Sequence, residues 1–176
     1  MNEMLPHRAI ILGGASSGKS NYAERLVFRG GEPRHYIATA QAWDAEMRAK
    51  IEAHRTARGP DWITHECPLD LAPALSAARE DDVVLLDCAT LWLSNHLLAE
   101  ADLPAMSRML IDQLSACPAR IVVVSNEVGQ GIVPDHAMGR QFRDAQGKLN
   151  QMLGAWADLA VVVMAGLPLA LKGQLP

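Results

Sequence analysis

The 176-residue sequence predicts an α/β fold with a mostly parallel β-sheet, helices on both faces and a C-terminal antiparallel edge strand. Apolar runs alternate with amphipathic segments along the chain, as strands and crossover helices alternate in such folds. Two runs, Val83–Leu86 and Ile121–Val124, are apolar at every position, which is typical of strands buried on both faces. A third run, Ala9–Leu12, leads into a glycine-rich loop and a helical pattern. That loop is therefore predicted to connect a buried strand to a helix.

The first third of the chain is predicted to contain two strands and two helices. Strand 9–12 precedes helix 18–29, which a Gly-Gly pair ends. Residues 35–40 favour a strand that finishes in small side chains, and such an end leaves room for a ligand. Residues 43–55 carry an apolar stripe at spacings of four, four and three residues, which predicts a second helix.

The same alternation continues to the C-terminus. A Gly-Leu-Pro turn near the end predicts that residues 169–172 form an edge strand antiparallel to the strand before them. The predicted helices in this part are 69–80, 90–99, 105–116 and 141–156. The predicted strands are 61–66, 82–87, 121–127 and 159–165.

The glycine loop fits the phosphate-binding pattern G-x-x-x-x-G-K-[ST]. Gly13 and Gly18 let backbone N–H groups curl around phosphate oxygens, Lys19 can reach the β and γ phosphates, and the Ser20 hydroxyl can ligate Mg²⁺. A glycine-rich turn with an ordinary exposed lysine is the alternative, but the strand–loop–helix setting favours a nucleoside triphosphate site. The predicted phosphate-binding residues are Gly13, Gly14, Ala15, Ser16, Ser17, Gly18, Lys19 and Ser20.

Three acidic residues stand at predicted strand ends. Asp87 follows an apolar run, as does the acid that holds Mg²⁺ in many proteins with this loop, although a helix N-cap or a surface aspartate has the same pattern. Glu66 and Glu127 are either contacts to the ribose or base of a nucleotide or surface carboxylates. Position alone does not separate these alternatives.

His54 lies on the apolar stripe of the second predicted helix. Histidine at such a position is more often a core or interface residue, whereas a neutral imidazole is also a competent nucleophile at phosphorus. Arg55 and Arg58 follow it and could hold triphosphate oxygens, or they could simply suit the negative end of the helix dipole.

Composition narrows the class of protein. The formal net charge of −4 offers no general attraction for nucleic acid, and no signal peptide or membrane-spanning run is apparent, so we expect a cytoplasmic protein. Cys67, Cys88 and Cys117 are odd in number and far apart, which argues against a disulfide framework or a zinc site. The length is typical of one domain, so residues 1–176 are expected to form a single nucleotide-binding and catalytic domain.

Several further stretches are distinctive when taken together with the glycine loop. They are Tyr36–Thr39, Asp44–Met47, Ile51–Arg55, Asn126–Pro134, and Phe142–Asp144 followed by Leu149–Gln151. Over nearly the whole chain, these stretches resemble the bifunctional adenosylcobinamide kinase and adenosylcobinamide-phosphate guanylyltransferase family of cobalamin synthesis. The run from Asn126 and the histidine-bearing helix are more particular to that family than the glycine loop, which many families share.

The resemblance implies a RecA-like fold and a two-step enzyme. The hydroxyl of adenosylcobinamide is phosphorylated with ATP or GTP, and GMP then passes from GTP through a histidine, here His54, to give adenosylcobinamide-GDP and pyrophosphate. Lys19 is the second expected catalytic residue, Ser20 and Asp87 the expected Mg²⁺ ligands, and a homo-oligomer, trimers included, the expected assembly. Beyond the loop, the expected nucleotide-binding residues are Ala38, Thr39, Arg55, Thr56, Ala57, Arg58, Glu66 and Asp87.

Three positions depart from the family pattern. Ser16 stands where the family often has arginine, and Ala53 replaces a histidine found in some members, so a histidine pair is not required. Asp87 stands where some members have glutamate, which leaves its role open between metal ligand, base contact and general base. Two other functions remain as alternatives: a P-loop small-molecule kinase of another pathway, and a RecA-like ATP-binding module.

Overall fold

A computed structural model describes residues 5–41, 45, 48–49, 51–52, 56 and 59–176. The strands are β1 (Arg8–Gly13), β2 (Arg34–Ala38), β3 (Ile63–Glu66), β4 (Val83–Asp87), β5 (Arg120–Asn126), β6 (Leu159–Met164) and β7 (Leu167–Lys172). The helices, which we number in order over this part of the chain, are α1 (Lys19–Phe28), α2 (Ala72–Ala77), α3 (Ala89–Leu98), α4 (Leu103–Ala116) and α5 (Ala137–Trp156).

The strands form one seven-stranded sheet in the order β3-β2-β4-β5-β1-β6-β7. Six strands are parallel, and β7 pairs with β6 in the antiparallel direction. The register sets Gly13 at the end of β1 opposite Asn126 at the end of β5. It also sets Ala38 of β2 opposite both Asp87 and Glu66. The carboxyl ends of the parallel strands therefore share one edge of the sheet.

The two faces of the sheet bury separate apolar clusters. On one face, α1 packs Ala23, Leu26 and Val27 against β1 and its neighbours. On the other face, α2, α3, α4 and α5 cover a larger cluster that includes the fully buried Trp92 and Leu110. Strands β1, β4 and β5 thus have helices on both sides, which explains their uninterrupted apolar sequence. The predicted mostly parallel sheet with helices on both faces is confirmed.

Most predicted elements are present, with shifted ends. Helix α5 begins at Ala137 rather than 141, because the ring of His136 accepts a hydrogen bond from the N–H of Gly139 and so caps the helix earlier. Helix α2 is shorter than the predicted 69–80, since Asp70 caps the N–H of Ala72 and Ala78 is already extended. Within the helix predicted over 43–55, only residues 45, 48–49 and 51–52 are described, and each is helical.

Among the described residues, no helix combines the length and the apolar character needed to cross a membrane.

Two histidines lie on the side of the sheet that α2, α3, α4 and α5 cover. The surroundings of each disfavour the protonated, positively charged ring. The His65 ring stacks on His35 with 5.2 Å between centroids, and Nε2 of His65 lies 2.9 Å from Nδ1 of His35. Burial, and then the charge of His35, lower the pKa of His65 below its usual range. Burial beside Trp92 lowers the pKa of His96 as well.

These lowered pKa values predict a loss of stability in mild acid. Both rings are neutral in the folded protein but take up protons readily in the unfolded chain, so the unfolded state gains protons first as the pH falls below about 6.5. We expect the free energy of unfolding, measured by urea denaturation, to fall between pH 7 and 5. A His65→Gln/His96→Gln variant should show a shallower fall. An identical pH slope in the variant and the wild type would contradict this assignment.

Candidate active site

The sheet topology creates a crevice between the carboxyl ends of β1 and β5. These strands are neighbours, but the helix after β1 packs on one face of the sheet and the helix after β5 packs on the other. In open α/β sheets, ligands bind where adjacent strands send their connections to opposite faces. The glycine loop, residues 13–20, therefore opens directly into the crevice, and Asn126 and Glu127 lie across from it.

The conformation of the glycine loop depends on two of its glycines. Gly18 has a φ of +91°, a left-handed conformation that side-chain-bearing residues avoid. A side chain at Gly13 would come within 2.8 Å of the carbonyl oxygen of Val163 in β6. Helix α1 starts with Lys19 and has neither a side-chain N-cap nor an acid in its first turn. Its positive end is therefore available to an anion.

A hydrogen bond from the β6–β7 turn supports the loop from behind. The N–H of Gly166 donates to the carbonyl oxygen of Ser17 at 2.9 Å, and Gly18 packs so closely that a Cβ there would lie 3.2 Å from the Cα of Gly166. Across the crevice, the N–H of Glu127 donates to the carbonyl oxygen of Gly13 at 3.0 Å. The loop is thus fixed from both neighbouring strands of β1.

Lys19 is turned back onto the loop. Its side chain is almost fully buried, and Nζ donates to the carbonyl oxygen of Gly14 at 3.0 Å. Ser20 follows it in the first turn of α1 and is half-buried. Gly14, Ala15 and Ser16 form the exposed outer side of the loop. An ammonium group that donates to a backbone carbonyl is well suited to exchange that partner for phosphate oxygens.

Asp87 lies at the carboxyl end of β4, next to β5 in the sheet. Its carboxylate accepts a hydrogen bond of 2.8 Å from the hydroxyl of Tyr36 in β2. Burial and the nearby Asp87 charge raise the pKa of the adjacent Cys88 thiol to about 11. Cys88 is therefore a neutral thiol at physiological pH and serves as the N-cap of α3 by accepting from the N–H of Leu91.

Thr39 faces inward rather than toward the crevice. Its hydroxyl donates to the carbonyl oxygen of Cys88 and accepts from the N–H of Cys88, both at 2.8 Å. Asn95 donates to the carbonyl oxygen of Thr39 at 2.8 Å, and the Thr39 side chain is fully buried. Thr39 therefore joins the end of β2 to the peptide that follows Asp87.

The remaining predicted residues are spread along the same edge. Ala38 is half-buried at the end of β2, and Glu66 is exposed at the end of β3. Four strand spacings separate β3 from β1, which places Glu66 roughly 19 Å from the glycine loop at ~4.8 Å per strand. Thr56 is helical and exposed. His54, Arg55, Ala57 and Arg58 lie outside the described residues.

A buried polar network behind the crevice was not singled out from the sequence. Ser125 donates to the Oδ1 of Asn150 at 2.7 Å, Gln146 donates to both, and Asn150 donates to the carbonyl oxygen of Asn126 at 3.0 Å. Thr90 accepts from the N–H of Asn126 at 2.7 Å. The sequence did carry a signal for this network: two polar residues lie four positions apart on α5, and polar residues end β5.

Comparisons with known proteins agree with this geometry. Residues 9–171 match the family described as cobinamide kinase / cobinamide phosphate guanyltransferase. The chain is 44% identical over 170 residues to the bifunctional adenosylcobalamin biosynthesis protein CobP of Pseudomonas aeruginosa, covering 95% of this chain and 98% of the relative. It is 39% identical over 180 residues to the bifunctional adenosylcobalamin biosynthesis protein CobU of Salmonella typhimurium, with 93% and 98% covered.

Solved structures support the fold. The chain resembles a type III secretion system ATPase of pathogenic bacteria with a TM-score of 0.52 at 11% identity, over 94% of this chain and 57% of that one. This likeness concerns the fold alone, and together with the sheet order it confirms the predicted P-loop, RecA-like architecture. The match over residues 9–171 and the identity to both relatives establish the family. The chain belongs to the cobinamide kinase / cobinamide phosphate guanyltransferase family.

Proposed function

We propose that this protein phosphorylates adenosylcobinamide with ATP or GTP and then transfers GMP from GTP to the product. The second step yields adenosylcobinamide-GDP and pyrophosphate, an intermediate and a by-product of cobalamin biosynthesis. The observation that carries the proposal is the glycine loop with its buried Lys19, held at the crevice of a chain that belongs to this family.

The triphosphate is assigned to the glycine loop. The phosphate oxygens accept hydrogen bonds from the backbone N–H groups of residues 13–20, which include the first turn of α1. The positive end of that helix favours the negatively charged phosphates. Lys19 exchanges the carbonyl of Gly14 for the β and γ phosphates. The nucleoside extends along the carboxyl edge toward Ala38 and Glu66, and Arg55, Thr56, Ala57 and Arg58 complete the site. Thr39 acts indirectly, since its hydroxyl holds the peptide that follows Asp87.

The donor set at the crevice suits Mg²⁺. The hydroxyl of Ser20 and the carboxylate of Asp87 are hard oxygen donors, which this ion prefers. Within the described part of the chain, no group of three or more His, Cys, Asp or Glu side chains is arranged to hold a metal. Mg²⁺ in nucleotide sites is commonly held by one or two protein ligands together with phosphate oxygens and water. When bound, Mg²⁺ neutralises charge on the phosphates.

In the kinase step, the acceptor hydroxyl of adenosylcobinamide attacks the γ phosphorus and releases its proton to water as the bond to the β–γ bridging oxygen breaks. Lys19 stabilises the negative charge that develops on the leaving nucleoside diphosphate. Catalysis in this step is mainly positioning, which the doubly supported loop provides.

In the guanylyl step, a ring nitrogen of His54 attacks the α phosphorus of GTP. A P–N bond forms, the bond to the α–β bridging oxygen breaks, and pyrophosphate leaves. A phosphate oxygen of adenosylcobinamide phosphate then attacks the same phosphorus, the P–N bond breaks, and the imidazole is restored.

The guanylyl step predicts a covalent adduct that depends on His54. Incubation with Mg²⁺ and GTP labelled at the α phosphate should label the wild-type protein, whereas a label at the γ phosphate should not be retained. The adduct should survive alkali and be lost in acid, and His54→Ala should abolish it. An unlabelled but folded wild type would refute the guanylyl step and leave a P-loop kinase or a nucleotide-binding module.

The assignment of the loop predicts a specific loss on substitution of Lys19. Lys19→Gln removes a charge-assisted hydrogen bond of about 1.5–3 kcal/mol, so nucleotide affinity measured by calorimetry should fall roughly 10-fold to 100-fold. Arg29→Gln removes the same charge from the far end of α1 and is the matched control. Equal nucleotide affinity in the two variants would contradict the assignment.

We also propose that the protein is a cytoplasmic homo-oligomer that associates through β7. Its three cysteines are free thiols, as is usual in a reducing compartment. Strand β7 is the last strand of the sheet. Four apolar side chains on β7 and the adjoining end of β6 expose 60–72% of their surface: Met164, Leu167, Leu169 and Leu171. An exposed apolar row on an edge strand is typical of a surface that pairs with another chain.

If this surface holds the oligomer together, a charged substitution on it should change the oligomeric state and leave the fold intact. Leu169→Lys should lower the mass observed in sedimentation velocity, because the charge cannot be buried in an apolar contact without a partner. Leu98→Lys, at an exposed apolar position on α3, should leave the mass unchanged. A monomeric wild type, or an unchanged mass for Leu169→Lys, would refute association through β7.

A further inference from the structure

Strand β5 extends two residues beyond the last pair that it forms with β4. That pair joins Val124 to Asp87, whereas on its other side β5 stays paired with β1 as far as Asn126. Side chains bond both backbone groups of Asn126. The N–H donates to Oγ1 of Thr90 at 2.7 Å, and the carbonyl oxygen accepts from Nδ2 of Asn150 at 3.0 Å. Side chains of α3 and α5 therefore supply the backbone partners that β4 does not extend far enough to offer.

One peptide group connects Asn150 to the glycine loop. It is the peptide that joins Asn126 to Glu127. Its carbonyl oxygen accepts from Asn150, and its N–H donates to the carbonyl oxygen of Gly13 at 3.0 Å. Because a peptide group is planar, these two ends cannot reorient independently of each other. The position of the Asn150 amide is therefore passed to Gly13 through a single rigid unit.

The amide of Asn150 is itself held in one orientation. Its Oδ1 accepts from the hydroxyl of Ser125 at 2.7 Å and from Nε2 of Gln146 at 2.9 Å, and these bonds leave Nδ2 to face Asn126. Gln146 is fully buried, and within the described part of the chain its Oε1 has no hydrogen-bond partner. A buried carbonyl without a partner lowers stability. Stability alone therefore does not explain why this network is polar.

Helix α5 makes a further contact of the same kind. Arg143, three residues before Gln146, donates to the carbonyl oxygen of Gly129. Residues three and four apart lie on one face of a helix, so Arg143, Gln146 and Asn150 form one polar stripe. All three donate hydrogen bonds to residues 125–129 or to each other. The stripe thus holds the short stretch of chain that supports the glycine loop.

We infer that Thr90 and Asn150 are positioning residues for triphosphate binding. They fix the end of β5, so that the N–H of Glu127 holds the carbonyl of Gly13, the first residue of the loop. Thr90 and Asn150 expose only 6% and 8% of their surface, so they act through the peptide after Asn126 rather than by touching the nucleotide. A loop fixed before binding loses less conformational entropy when the phosphates arrive. This inference rests on the proposed function, which takes the loop as the triphosphate site.

Four variants separate positioning from stability. Asn150→Asp keeps the size of the side chain but sets an oxygen, instead of a donor, against the carbonyl of Asn126. Thr90→Val removes the hydroxyl at nearly constant size, and Thr90→Ser keeps it. Leu114→Ala is the control for lost stability, because it opens a cavity in the apolar cluster near the C-terminal end of α4 and makes no contact with the loop.

The measurement is the Kd for a Mg²⁺ complex of α,β-methylene GTP, determined by calorimetry without cobinamide. This analogue cannot release pyrophosphate, so the heat reports binding alone. We expect the Kd to rise about tenfold in Thr90→Val and Asn150→Asp. It should stay within about twofold of the wild type in Thr90→Ser and in Leu114→Ala, although the latter unfolds at lower urea concentration. Hydrogen exchange of the Glu127 N–H, followed by NMR, should be faster in Thr90→Val and Asn150→Asp than in Thr90→Ser.

Two results would overturn the inference while leaving the proposed function intact. One is a wild-type Kd in folded Thr90→Val and Asn150→Asp. The other is an equal rise of the Kd in Leu114→Ala or in Thr90→Ser, which would trace the loss to stability or to side-chain size instead of to the hydrogen bond. A folded wild type that does not bind the analogue would refute the assignment of the triphosphate to the glycine loop, and this inference with it.

Discussion

The parallel pairing of β1 with β5 on one side and β6 on the other is the interaction on which the site depends. Ile10 and Ile11 of β1 are fully buried between these neighbours. Because the register is fixed along the strand, the end of β1 is fixed as well, and the glycine loop leaves the sheet at one defined point. The strands beside the loop thus fix where it starts, while Gly13 and Gly18 allow the conformation that it takes from there.

At the carboxyl edge of the sheet, a polar surface lies directly over an apolar interior. Buried polar side chains hydrogen-bond the backbone groups at this boundary. Thr39 shows how this is done: one hydroxyl satisfies both the N–H and the C=O of Cys88 in a place that water does not reach. Ser125 and Asn150 play a similar part behind Asn126. An unpaired buried backbone group would be costly, so these side chains allow polar ends of strands to sit directly over an apolar core.

Much of the fold and the phosphate loop could be predicted from the sequence, because apolar runs and glycine spacing reflect constraints within a few residues. The role of Thr39 could not, since its partner Cys88 is distant in sequence and an inward-facing threonine has no local signature. The early start of α5 depended on a histidine cap, which lies outside the usual set of capping residues. Hydrogen bonds from side chains to the backbone, rather than propensity, decided both cases.

The hydrogen bond from Gly166 to Ser17 has a consequence for the order of synthesis. A ribosome makes the glycine loop well before the β6–β7 turn that supports it. Strand β5, which supplies the other support through Glu127, is also late. A nascent chain therefore exposes the loop sequence long before the backbone that shapes it exists. The loop therefore gains both of its backbone supports only in chains that have been completed at least through the β6–β7 turn.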